Sequence, residues 1–179
     1  MALSVTIRSM KFAVILDNVR SVHNVGSIFR AADAAGVEKI FCCGITPGPL
    51  DRFKHIRADF AKVSLGAEKS VAWESAKDAV SVIERLRSDG WKIFAIEQAE
   101  RSIPYYEAAA FISGGERGIA LVVGTEVGDL TVAVLGAADK ILEIPMRGEK
   151  ESLNVAVAFG IAIFALASPR PDKKKMLQS

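Results

Sequence analysis

Five short runs repeat along the chain at intervals that leave room for a helix between them. FAVIL (12–16), KIFCC (39–43), WKIFAI (91–96), IALVV (119–123) and KILEI (140–144) are of strand length and mostly β-branched, aromatic, aliphatic or cysteine-bearing. VAW near Val71 adds a weaker sixth strand. Between them, residues 24–35, 75–88, 130–137 and 152–167 read as helices, the second amphipathic with Ala79, Val82, Ile83 and Leu86 on one face. Strands that are apolar on both faces must be covered on both sides. The pattern therefore predicts an α/β fold, a mainly parallel sheet flanked by helices. At 179 residues this is expected to be one domain over 1–179, with a core of about 12–167 and a basic tail over 168–179.

In such sheets ligands sit beyond the carboxyl ends of the strands, which singles out three loops: LDNVRSVHNVG, VGTEVGD and IPMRGEKESLN. None carries the G-x-G-x-x-G of a dinucleotide site, and the chain has no Walker loop, H-E-x-x-H, C-x-x-C or G-x-S-x-G. A nucleotide-binding oxidoreductase is disfavoured on that ground. With two histidines, His23 and His55, a metal site is poorly supported, and none is expected. Cys42 and Cys43 are adjacent, alternate across a strand and cannot pair with each other, so they are expected to be buried thiols. The longest apolar run, 155–167, is shorter than the roughly 20 residues of a membrane span. No membrane association is expected, and the compartment is expected to be cytoplasmic.

A net charge of +2 says little about partners, because polyanion affinity comes from clustered basic residues. One cluster is DRFKHIRADFAK, where Arg52, Lys54, Arg57 and Lys62 are candidate RNA contacts and a solvated loop is the plain alternative. In NVGSIFR, Asn24 reads as a helix N-cap, and Gly26 leaves room for a ligand or another backbone. Arg30 stands off the centre of the apolar face of that helix, and on this motif alone pairing with Asp33 or reaching to solvent is the slightly preferred explanation. Glu126 lies between two glycines and could pair with Arg30 or cap a helix. Ser152 reads as the N-cap of the last helix and Asn154 as a buried amide within it. That helix is apolar nearly all round, so part of it is expected to pack on another subunit.

Taken together, N-x-G-x-x-x-R (24–30), GTEVG (124–128) and I-P-M followed by S-L-N-V (144–146 and 152–155) resemble the three signature motifs of the SpoU (TrmH-like) branch of the SPOUT methyltransferases. The resemblance runs from about residue 12 to 167, with GTEVG standing where the family's G-x-E-x-x-G is expected. It implies transfer of a methyl group from S-adenosylmethionine to a ribose 2′-hydroxyl of tRNA or rRNA. It also implies a C-terminal deep trefoil knot and a homodimer built on the helices that begin near Asn24 and Ser152. The cofactor is expected around Ile96, Gly124, Ile144, Met146 and Leu153. Arg30 matches the catalytic arginine, with Asn24, Glu126, Ser152 and Asn154 around it.

The implied chemistry is coherent. A ribose hydroxyl becomes a good nucleophile when it loses its proton or when its developing alkoxide is stabilised. Arg30 could serve as the base, although a guanidinium normally keeps its proton, or as a charged clamp on a neighbouring phosphate. With about eleven residues ahead of the first strand, RNA capture is expected to rest on the dimer surface, the 52–62 cluster and the tail. A catalytically silent RNA-binding or assembly factor on the same fold is the rival reading. The retention of Arg30, Ser152 and Asn154 argues against it.

Overall fold

Alternate residues of the strand Lys11–Asp17 (β1) point to opposite faces of a sheet, and each face has its own cover. The computed structural model describes residues 10–125 and 128–168. Beside β1 lie β2 (Lys39–Cys43), β3 (Ala72–Ala76), β4 (Trp91–Ile96), β5 (Ile103–Pro104), β6 (Gly118–Val123) and β7 (Lys140–Glu143). They form one sheet in the order β3-β2-β1-β6-β4-β7-β5, parallel at every pairing. The helices are α1 (Val22–Ala34), α2 (Ala58–Ser64), α3 (Ala67–Ser70), α4 (Ala79–Ser88), α5 (Val132–Ala137) and α6 (Val155–Ala167).

Phe12, Val14 and Leu16 of β1 share one core with Ile28 and Phe29 of α1, Phe60 of α2, and Phe159 and Ile163 of α6. Ala13 and Ile15, on the other face, join Val82, Ile83 and Leu86 of α4 and Val134 of α5. The predicted amphipathic face of α4 is therefore the one that is buried. On the α1 side Phe29 meets Phe60 edge to face, with ring centroids 5.1 Å apart. Gly26 explains how the two helices come so close: a Cβ there would lie 3.1 Å from the Cβ of Val63. Another chain segment, rather than a ligand, fills the space that glycine leaves.

Several expected boundaries move. The 75–88 helix starts at Ala79, because residues through Ala76 belong to β3 and the Asp78 carboxylate accepts the Ser81 N–H at 2.8 Å. The 52–62 segment is not a plain loop: it forms a turn and then enters α2. β5 and the 3-10 helix Tyr105–Phe111 lie in a stretch with no predicted element. Cys42 and Cys43 are buried free thiols, and burial pushes both up to about 12, as the strand pattern implied. Among the described residues no helix is long and apolar enough to cross a membrane.

At the carboxyl end of β1, Asp17 is buried with an Asn18 amide donating to it at 2.9 Å. Burial first, and then the charge of Asp78, raise its carboxyl above the ordinary range, with the Asn18 bond working against them. A raised folded-state pKa means a contribution that is complete below the unfolded value and lost as pH rises through the folded one. Asp17→Asn is accordingly expected to unfold at higher urea than the native chain at neutral pH, with the difference vanishing only below the ordinary carboxylate pKa.

Candidate active site

The carboxyl ends of β4, β6 and β7 are neighbours in the sheet, with Ile96 opposite both Val123 and Leu142. The chain leaves all three strands at one place and opens a cleft of about 270 Å³, close to the lower end of the roughly 300–1,000 Å³ range of small-molecule pockets. All five positions expected to hold a cofactor, Ile96, Gly124, Ile144, Met146 and Leu153, line it, and Ser152 joins them. Val155 and Ala158 bring the first turns of α6 to the same wall. Gly124 has a steric reason to be glycine, since a Cβ there would sit 2.7 Å from Cδ2 of the buried Leu130. Gly128, at φ +94°, takes a left-handed conformation that favours glycine. Glu126 lies outside the described residues.

Two residues of the cleft carry no motif and were missed by sequence reasoning. Glu97 follows β4 directly, accepts the Leu130 N–H at 3.0 Å and donates its own N–H to the Leu142 carbonyl at 3.0 Å. Gln98 donates its side-chain amide to the Glu151 carbonyl at 2.7 Å. Together they tie the exit of β4 to the loops that follow β6 and β7, so the cleft walls are held to one another through this strand end. The available signal was positional: a Glu-Gln pair immediately beyond the carboxyl end of a buried strand.

The first and third motifs meet through two asparagines. The Asn154 amide donates to Asn24 Oδ1 at 3.0 Å, joining the N-terminal ends of α1 and α6 across 130 residues of sequence. Neither residue has the predicted local role. Ser21 caps α1, its hydroxyl accepting from Asn24 N–H at 3.2 Å, which places Asn24 inside the first turn rather than at the cap. Asn154 itself caps α6 by accepting from Ala156 N–H at 2.9 Å, so Ser152 falls two residues ahead of the cap and turns to the cleft. Asn154 is consequently exposed, with both its amide nitrogen and oxygen engaged, and is not a buried amide within a helix. Asn154→Ala is expected to lower the unfolding free energy by about 1 kcal/mol. Asn154→Asp, which can cap but cannot donate to Asn24, should recover most of that loss in urea titrations.

Arg30 is exposed and lies outside the cleft of its own chain. It lines a separate groove with His23, Ser27, Asp59 and Lys62, between α1 and α2. The Asp33 alternative fails: that carboxylate accepts from the Ser70 hydroxyl at 2.6 Å, and among the described residues no ion pair holds Arg30. Of the four expected RNA contacts, Lys62 shares the Arg30 groove, and Arg57 bonds Asp59 at 3.1 Å on its edge. That bond comes first among the causes that pull the Asp59 carboxyl below the ordinary range. Arg52 and Lys54 sit on the turn that precedes α2, and the tail beyond Ser168 lies outside the described residues.

Residues 11–164 match the model of the SpoU rRNA Methylase family. The chain belongs to this family. It is 31% identical over 158 residues to the 23S rRNA (guanosine-2′-O-)-methyltransferase RlmB of Ralstonia nicotianae, covering 88% of this chain and 58% of that protein. It is 31% identical over 160 residues to RlmB of Escherichia coli, covering 89% of this chain and 60% of the relative. The chain thus spans about three fifths of the length of these relatives. Among solved structures, an AdoMet-bound rRNA methyltransferase from Sinorhizobium meliloti superposes with a TM-score of 0.75 at 28% identity, over 87% of this chain and 55% of the other. The A. aeolicus TrmH/SpoU tRNA modifying enzyme gives 0.73 at 24% identity, over 98% and 89%, and supports the fold.

Proposed function

We infer that this protein transfers a methyl group from S-adenosylmethionine to a ribose 2′-hydroxyl of RNA. The observation that carries the reading is the convergence of Ile96, Gly124, Ile144, Met146, Leu153 and Ser152 on one cleft at the carboxyl ends of three adjacent parallel strands. The lining suits the cofactor: Ile96, Ile144 and Leu153 offer apolar surface to a nucleobase, while the carboxylates of Glu97, Asp129 and Glu143 favour a cationic sulfonium. When bound, the cofactor supplies an electrophilic methyl. The chain's part is to orient it, exclude water and present the hydroxyl in line. The names of the relatives make ribosomal RNA the first substrate to test, and the motif resemblance keeps tRNA as the second.

The same reading includes a trefoil knot in the loops after β6 and β7, supported by β6 inserting between β1 and β4 and by both loops bordering one cleft. It also includes a homodimer. α6 buries Phe159, Ala162, Ile163 and Leu166 but leaves Val157 50% and Phe164 44% exposed, an apolar face that a second copy would cover. A dimer packed through α1 and α6 would let Arg30 of one protomer reach the cleft of its partner, whereas it does not line the cleft of its own chain. Glu126, the second-motif residue that the resemblance adds to this set, belongs to the same proposal on sequence grounds alone. Calorimetric titration with S-adenosylmethionine should show one site per chain. Absence of any heat of binding would overturn the enzyme reading and favour a silent RNA-binding factor.

A further inference from the structure

The turn before α2 is more ordered than its surface position requires. Leu50 and Ile56 form an antiparallel bridge, Asp51 N–H donates to the His55 carbonyl at 2.9 Å, and Arg57 N–H donates to the Pro49 carbonyl at 2.9 Å. The Asp51 carboxylate accepts two further N–H groups, from Phe53 at 2.8 Å and His55 at 2.9 Å. Lys54 takes a left-handed backbone, φ 64°, to close the turn. All this holds Phe53 out at the tip, 64% exposed.

A single exposed Phe means little on most surfaces. Here arginine and lysine side chains flank the ring. The Arg52 guanidinium lies over it at 4.7 Å, the His55 ring is 6.5 Å away, and Lys54 and Arg57 follow. Arg57 grips Asp59, which lines the groove of Arg30 and Lys62. Four residues of chain, at most about 14 Å, separate Phe53 from Arg57.

We propose that Phe53, with Arg52 stacked on it, is a platform for an unpaired base of the RNA strand next to the target ribose. The proposal rests on the RNA-methyltransferase reading and adds to it a substrate class, single-stranded or splayed-out nucleotides. Duplex RNA keeps its base faces hidden, whereas every unpaired base offers a π-face to an aromatic ring and its phosphates to nearby cations. A protein partner would be served by apolar surface alone, and the Arg52, Lys54 and Arg57 surround adds charge complementarity to a polyanion.

The test titrates the 179-residue chain with a short single-stranded RNA carrying 2-aminopurine, and with the same RNA annealed to its complement. Binding should quench the fluorophore in the single strand only. Phe53→Ala is expected to weaken single-strand binding roughly tenfold or more and to abolish the quench, with the salt dependence unchanged. Phe53→Trp should retain both, Phe53→Leu should behave like alanine, and Arg52→Ala should lower the salt slope by about one. S-adenosylmethionine affinity and unfolding midpoint should not move in any of them. Equal RNA affinity for native and Phe53→Ala protein would overturn the platform while leaving the function standing. A change of sedimentation state in Phe53→Ala, with RNA affinity intact, would make the tip a protein interface and also overturn it. Native protein that binds neither RNA nor cofactor would remove the function itself.

Discussion

Replacing Arg30 by alanine is expected to reduce methyl transfer by about 10²–10³-fold while leaving cofactor affinity and stability unchanged. The guanidinium is exposed, stands outside the cleft and, among the described residues, holds no ion pair, so its loss breaks no salt bridge of the fold. Exposed substitutions of this kind shift stability by at most about 0.5 kcal/mol. Whatever activity disappears therefore belongs to the interaction with RNA. Arg30→Lys separates the two roles open to the residue. A charged clamp should keep measurable activity and the native pH–rate profile, whereas a base should introduce a new ionisation. In the proposed homodimer, mixed dimers locate the site. An Arg30→Ala chain paired with a Gly124→Leu chain, whose cleft is blocked, should regain activity only if Arg30 acts on the cleft of its partner subunit. Neither variant alone should show it.

The second large effect is on stability. Phe29→Ala should cost about 3–5 kcal/mol of unfolding free energy, because Phe29 is fully buried, packs edge to face on Phe60, and sits beside Arg30 on α1. The cavity would open between α1 and α2, the two helices that form the Arg30 groove. RNA affinity is expected to fall with it even where the protein remains folded, while cofactor binding on the far strands should persist. Urea unfolding followed by calorimetry in native conditions checks both halves.

How far the sequence leads depends on how local the determining physics is. β2 and β4 coincide with their predicted runs, KIFCC and WKIFAI, because continuous apolar residues of strand length in a buried parallel sheet leave few other choices. The buried face of α4 follows from its 3.6-residue spacing. Capping was less legible. Ser21 and Asn24 both qualify by type, as do Ser152 and Asn154, and the choice is made by the Asn24–Asn154 bond between elements far apart in sequence. β5, of two residues, and α3, of four, are too short to leave a periodic signal. The cleft lining was reached through resemblance to a family rather than through spacing. Glu97 and Gln98 could not be found that way, since their partners lie 33 and 53 residues downstream.

One measurement bears most directly on the central claim. The protein is incubated with methyl-labelled S-adenosylmethionine and undermodified ribosomal and transfer RNA, and the RNA is digested to nucleosides and resolved by mass spectrometry. Label recovered in a 2′-O-methylnucleoside, and lost with Arg30→Ala, is the predicted result. Label recovered in a base-methylated nucleoside, or no transfer to either RNA by protein that binds the cofactor, would contradict it.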